Sequence, residues 1–214
     1  MNESISKTAI ELESQQRNIE SIKNVINNVI LEHKSKISIC YTSIESCLCL
    51  EHSIYSAVCG FYSSSMESLR RYVELVVFGI YFDKDNLSFN QWLNGNSEFN
   101  FTSKLESIFK YPEIRSWSTE SFYASLKTEI INIYKKLSMF THSNPTKWEH
   151  GLRLEWELEY SQVKLNEWLF FFSKSMELCT SLLVLYLPDI LDEYCSLFLN
   201  PNIMKKIEER LIGG

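Results

Sequence analysis

The chain has 214 residues, of which 45% are hydrophobic, 14% aromatic and 22% charged, a content that excludes wholesale disorder and supplies a sizeable core. Six Gly and four Pro are too few for a turn-rich sandwich or barrel and favour long helices. A formal net charge of −6 excludes a protein that coats nucleic acid non-specifically, which needs a net basic surface.

From Ser4 to Lys34 the chain reads as one long helix. Ile5, Leu12, Ile19, Ile26 and His33 recur every seven residues, Ile22 and Val29 fill adjacent positions, and Glu11, Glu13, Arg17, Glu20 and Lys23 fall outside. It is the first helix of a bundle, or, given the polar early half (Gln15, Gln16, Asn18), a helix that projects or packs in a dimer. The helical period continues from Ile37 to Phe82. Ile44, Leu48, Ile54, Tyr55, Val58, Phe61 and Tyr62 give one apolar surface, which Met66, Leu69, Tyr72, Val73, Val76, Val77 and Ile80 extend. Gly60, followed by Ser63-Ser64-Ser65, marks either a kink or a break into two helices.

Asp83 to Asn100 reads as the clearest loop, anchored on the core by Trp92. A shorter helix follows from Ser103 to Lys110 and Pro112 stops it. Ser118 or Thr119 then caps a helix through Phe122, Leu126, Ile130, Ile133, Tyr134, Leu137 and Phe140. Thr141 to Gly151 is a second loop. Leu152, Leu154, Trp156, Leu158 and Tyr160 then alternate with Arg153, Glu155, Glu157 and Glu159, the period of a half-buried strand, although Leu152, Trp156 and Tyr160 also suit a helix. An extended segment is expected at 152–160. Ser161 caps a long buried helix that ends before Pro188, and two short helices follow, through Ile190, Leu191, Tyr194 and Leu197 and through Ile203, Ile207 and Leu211. The expected architecture is all-α: one helical domain over residues 1–214, a bundle of long antiparallel helices.

The opening Met1-Asn2-Glu3-Ser4 has no basic region leading into an apolar run, so a cytoplasmic protein with reduced cysteines is expected. The most apolar stretch, Trp168 to Leu187, has the length of a membrane span but carries Lys174 and Glu177 near its middle. It is read as a buried helix, with no membrane partner.

Five features invite a chemical reading. Cys40, Cys47, Cys49, His52 and Cys59 are zinc-type ligands, but their spacing lacks the paired cysteines of a knuckle, and a helix turns Cys47 and Cys49 about 200° apart. No metal site is expected there, and no cofactor motif such as a phosphate-cradling Gly loop occurs. Glu155, Glu157 and Glu159 would line one solvated side of an extended segment. Leu211-Ile212-Gly213-Gly214 reads as the stop of an amphipathic helix. The fifth feature is Arg70, Arg71 and Glu74 with Lys135, Lys136, His142, Ser143 and Asn144. Arg70 and Glu74 are four apart and can pair along one helix face beside a largely buried stripe, where an unpaired charge is expensive. His142 falls where a helix runs out into a loop, a position that suits proton transfer near neutral pH, and Lys135 and Lys136 can hold a phosphate. The competing reading is that His142 and the lysines only complement the helix dipole.

The run Ser68-Leu69-Arg70-Arg71-Tyr72-Val73-Glu74, the following Tyr81-Phe82, Trp92, and Leu137-Ser138-x-x-x-His142-Ser143 together resemble all-helical bacterial proteins related to the HEPN superfamily, over roughly Phe61 to Ser143. The resemblance implies a helical bundle, usually dimerised, that serves as a metal-independent ribonuclease or as an inactive RNA- or nucleotide-binding module, often in phage-defence or toxin–antitoxin systems. Active members carry Arg, four to six residues, then His, with a polar residue after the Arg. Here Lys136 keeps the spacing to His142 with five residues between, but Lys replaces Arg and Leu137 follows it. Lys offers one compact charge in place of a bidentate fork, so the resemblance implies a degenerate relative.

The functional expectation is therefore a non-enzymatic interaction or regulatory subunit, in a bacterial defence or toxin–antitoxin assembly, that meets a protein partner or a second copy through its N-terminal helix. The alternative is a metal-independent ribonuclease acting on RNA. There His142 is the general acid and base, Lys136 with Arg70 or Arg71 stabilises the phosphorane, and Glu74 holds the Arg.

Overall fold

The computed structural model describes residues 12–14, 16, 17, 19–21, 23, 24, 35–96, 100–116, 120–141 and 161–188. These are 88% helical and contain no strand, so the fold is all-α. In chain order, α1 is helical at its described residues between 12 and 24, followed by α2 (Ile37–Val58), α3 (Tyr62–Lys84), α4 (Asn86–Leu93), α5 (Phe101–Ile108), α6 (Pro112–Arg115), α7 (Glu120–Thr141) and α8 (Gln162–Tyr186). The expected extended segment at 152–160, His142, Ser143 and Asn144, the caps Ser118 and Thr119, and the chain beyond Pro188 lie outside the described residues.

The centre of the bundle is α3, which packs against α2, α5, α7 and α8. Its stripe of Met66, Leu69, Val73, Val76, Val77 and Ile80 is buried, as periodicity predicts. Side-chain contacts give the directions. Ser53 meets Ser65 while Ser38 meets Gly79, so α2 and α3 are antiparallel. Tyr62 meets Ser161 while Tyr186 meets Asp83, so α8 runs parallel to α3. Lys174 meets Glu129 and Phe171 meets Phe140, which sets α7 antiparallel to α8. Over its described residues α1 does not project. Ile19 is 2% exposed within the core, and Lys23 is ion-paired with Glu51 of α2.

At Gly60 the chain breaks. Its φ of 83° is open to glycine at no steric cost, and Gly60 N–H donates to Ala57 O (3.1 Å) while Phe61 N–H donates to Ser56 O (2.8 Å). Those two bonds satisfy carbonyls that the end of α2 leaves free, and they turn the chain into α3.

Two expectations need correction. The apolar surface read on Ile44, Leu48, Tyr55, Val58 and Phe61 does not continue the core stripe: these residues are 49%, 52%, 69%, 56% and 42% exposed. The helix buries Ser38, Thr42, Ser43, Ser46, Ser53 and Ser56 among Ile39, Leu50 and Ala57 instead. Small side chains let α2 lie close against α3, and some of their hydroxyls bond within α2, Thr42 Oγ1 donating to Ser38 O (2.9 Å) and Ser46 Oγ to Ser43 O (2.8 Å), while Ser38 and Ser53 donate across to α3. Second, the expected loop from Asp83 to Asn100 contains α4. The Asp85 carboxylate caps it, accepting from Ser88 N–H (3.0 Å) and Ser88 Oγ (2.7 Å). Trp92 does anchor this region, packing beside Phe82 and Phe89 with ring centroids 5.4 and 6.2 Å away.

Smaller differences concern helix ends. Asn100 caps α5, accepting from Ser103 N–H (2.9 Å), and Pro112 opens the single turn α6, where its missing N–H costs nothing. Ser161 caps α8 as expected (3.4 Å to Lys164 N), and the helix ends at Tyr186. This helix is long and apolar enough to cross a membrane, with a mean hydropathy of 1.4, yet 72% of that window is buried inside the structure. Its mid-helix charge is paired, Lys174 lying 2.7 Å from Glu129 and 3.2 Å from Glu177.

Candidate functional site

Arg70 and Glu74 sit one turn apart on α3, on the side that faces α7. They form an ion pair of 2.6 Å, with the two side chains 23% and 19% exposed. A third member comes from α7. Tyr134 Oη donates to Glu74 Oε1 (2.6 Å) and accepts from Arg70 Nη1 (3.1 Å), and the Tyr134 ring stacks on Phe101 of α5 at 3.8 Å and 13°. Burial, reinforced by the Glu74 carboxylate, raises the Tyr134 phenol above its ordinary value and keeps it a donor. The charges that looked expensive beside a buried stripe thus neutralise each other and are hydrogen-bonded by a phenol. Arg70 Nε alone is buried without a partner.

Of the other candidates, those among the described residues do not join this trio. Arg71, one residue on, is exposed and projects toward α2, where its charge is felt by Cys49. Lys136 follows Tyr134 by two residues, about 200° around α7, and it is exposed, as is Lys135. Thr141, the last residue of α7, is seven residues beyond Tyr134, a rise of about 10 Å. His142 follows Thr141 and lies outside the described residues. Sequence reasoning missed Tyr134, which it had placed only as a core position. Its hydroxyl was the available signal, since a buried phenol requires a polar partner.

The cysteines are distributed around α2. Cys47 and Cys49 are buried on opposite sides, Cys47 beside Lys23 and Glu51, Cys49 beside Arg71 and Glu45, while Cys59 is exposed. Burial pushes the Cys47 thiol up to about 12 and raises Cys49, so neither supplies a thiolate at neutral pH. No group of three His, Cys, Asp or Glu side chains converges among the described residues in a way that would hold a metal ion. His52 Nδ1 lies 2.8 Å from Ser68 Oγ, which is also 3.0 Å from Ser64 O.

The remaining unusual feature is the outer face of α2. Ile37, Tyr41, Ile44, Leu48, Tyr55 and Val58 recur at intervals of three, four or seven residues and are 43% to 69% exposed. A row of large apolar residues at helical spacing on the outside, with serines on the inside, fits a second helix better than it fits water. No protein-family model matches the chain, and neither a curated protein nor a solved structure matches it significantly.

Proposed function

We propose that the chain is a non-enzymatic helical interaction subunit and that it works through the outer face of α2. The supporting observation is the inversion of this helix, with hydroxyls buried and Ile44, Leu48, Tyr55 and Val58 exposed. Exposing such a row is costly unless another surface covers it. The occupant is a second copy of this chain. Spacing about Leu48 is symmetric: Ile44 and His52 lie four residues to either side, Tyr41 and Tyr55 seven, and Ile37 and Cys59 eleven. An antiparallel two-fold pairing therefore sets Tyr41 against Tyr55 and Leu48 against itself. The described part of α1 pairs with the same helix at Glu51, which supports a contribution of the N-terminal helix at the edge of this interface. A regulatory place in a bacterial defence or toxin–antitoxin assembly belongs to the same reading and rests on the sequence resemblance alone.

Light scattering on the purified full chain tests it. The wild type is expected to run as a dimer and Leu48→Asp as a folded monomer, while Leu87→Asp, at an exposed position of α4, stays dimeric. A wild type that remains monomeric at every concentration, or a Leu48→Asp protein that remains a dimer, overturns the reading.

A second reading is the metal-independent ribonuclease, and one observation favours it: Arg70 keeps a buried Nε–H without a partner. It needs His142 and Lys136 to approach Arg70 from a site that Glu74 and Tyr134 already occupy. RNA cleavage in excess EDTA, lost in a folded His142→Ala protein, would establish it; no cleavage by the wild type removes it.

A further inference from the structure

The chain is acidic as a whole, yet one small cleft gathers three cations against one acid. It lies where the end of α5, the single turn α6 and the first turns of α7 meet, with a volume of about 320 Å³. Its lining includes Glu106, Phe109, Lys110, Arg115, Tyr123 and Lys127. The local sequence explains the convergence. Lys110 lies two residues beyond the end of α5, Pro112 restarts the helix so that Arg115 turns back toward the same side, and Tyr123 and Lys127 stand one turn apart on α7. Tyr123 Oη donates to Arg115 O (3.4 Å) and ties α6 to α7, while Phe109, only 7% exposed, gives the cleft an apolar side.

Charge makes the cleft a site. Arg70 and Lys23, Lys36, Lys84 and Lys174 are each ion-paired with a carboxylate. Lys110, Arg115 and Lys127 form no such pair among the described residues, and Glu106 is the one acid among the described residues that line the cleft. Three cations against one carboxylate leave a local excess of +2 in a chain whose net charge is −6. Like charges held around one small opening repel each other, and a bound dianion removes that cost. A phosphomonoester carries about −1.5 to −2 at neutral pH and presents three strong acceptor oxygens, which suits an Arg and two Lys. The volume stands at the small end of ligand pockets, which run from about 300 Å³ upward, and the two rings offer contact to an apolar body.

We propose that this cleft binds a small phosphomonoester, with the phosphate held by Lys110, Arg115 and Lys127 and the organic body against Phe109 and Tyr123. The site is separate from the α2 face and does not depend on dimerisation.

Titration calorimetry on the full chain with phenyl phosphate, inorganic phosphate and benzyl alcohol tests both halves. Phenyl phosphate is expected to bind saturably at one site, inorganic phosphate about tenfold more weakly, and benzyl alcohol not measurably. Arg115→Ala and Lys127→Ala should each weaken phenyl phosphate about tenfold, as loss of a charge-assisted bond predicts, whereas Glu106→Gln should tighten it. Lys164→Ala, on α8, should leave it unchanged. Absence of saturable binding overturns the proposal, as does equal weakening by Lys164→Ala, which would mean diffuse attraction to surface cations. Equal affinity for phenyl and inorganic phosphate overturns the apolar half. Circular dichroism on each variant separates loss of binding from loss of fold.

Discussion

A single serine joins three helices at the middle of the bundle. Trp168 Nε1 of α8 donates to Ser53 Oγ of α2 (2.9 Å), and Ser53 Oγ donates in turn to Ser65 O of α3 (2.9 Å). Both Trp168 and Ser53 are fully buried, so water does not replace either bond. Ser53→Ala removes one small hydroxyl and strands an indole N–H in the core, which costs about 1–3 kcal/mol. The urea midpoint should fall accordingly with an unchanged slope; an unshifted midpoint would mean that the indole finds another acceptor. Nothing in the sequence marks Ser53 as special among the many serines of α2, because its partners are 12 and 115 residues away. The same limit explains the candidate site. Arg70 and Glu74 are legible as a pair because a helix places residues four apart side by side, whereas Tyr134 joins them from 60 residues away.

Between elements, α2 and α3 come close together at Gly79. A Cβ built on Gly79 would overlap Thr42 Oγ1 and sit 3.3 Å from Thr42 Cβ. Replacing a helical Gly by Ala ordinarily gains about 1 kcal/mol in propensity. Here overpacking opposes it, at about 1–3 kcal/mol, because Thr42 is 1% exposed and its hydroxyl is bonded to Ser38 O. Gly79→Ala should therefore lower the melting temperature, and Thr42→Ala in the same chain should restore much of the loss, a coupling that a double-mutant cycle measures. Additive effects of the two changes would show that the helices do not meet here. This pair also shows why the face of α2 was misread. Period locates two faces of a helix but does not say which is inside, and hydrophobicity points the wrong way when small hydroxyl residues are needed for contact. The long helices themselves were legible from the few glycines and prolines and the long runs of period, whereas the parallel course of α8 beside α3 was not. The helix α4 was not, since its Asp, Asn and Ser residues also read as a loop until Asp85 is seen to cap Ser88.

Across the whole molecule, the ends of three long helices are fastened at one point. Asp83, at the end of α3, accepts from Lys36 Nζ ahead of α2 (2.6 Å) and from Tyr186 Oη at the end of α8 (2.5 Å). The Tyr186 ring lies 6.3 Å from that of Tyr111 and under the Lys36 ammonium. Burial raises both phenols, Tyr111 to about 12 and Tyr186 further, with the Asp83 carboxylate adding to the shift of Tyr186. A group whose value is raised by folding contributes stability that is complete below its unfolded value and is lost as the pH climbs through the folded one. For these tyrosines the loss begins near pH 10, where the unfolded chain releases protons that the folded chain retains. The carboxylates of Asp85 and Glu113 act with the opposite sign. Hydrogen bonds from Ser88 and Lys84 respectively hold them below their ordinary values, so their contribution is complete above about pH 4 and fades on acidification. Tyr186 is 3% exposed, and its limiting effect above pH 10 is about 1.4 kcal/mol per pH unit. The melting temperature should accordingly fall above pH 10, and Tyr186→Phe should start lower at neutral pH yet lose less with each further unit of alkali. Parallel alkaline limbs in the two proteins would show that the clasp at Asp83 does not hold the bundle ends together.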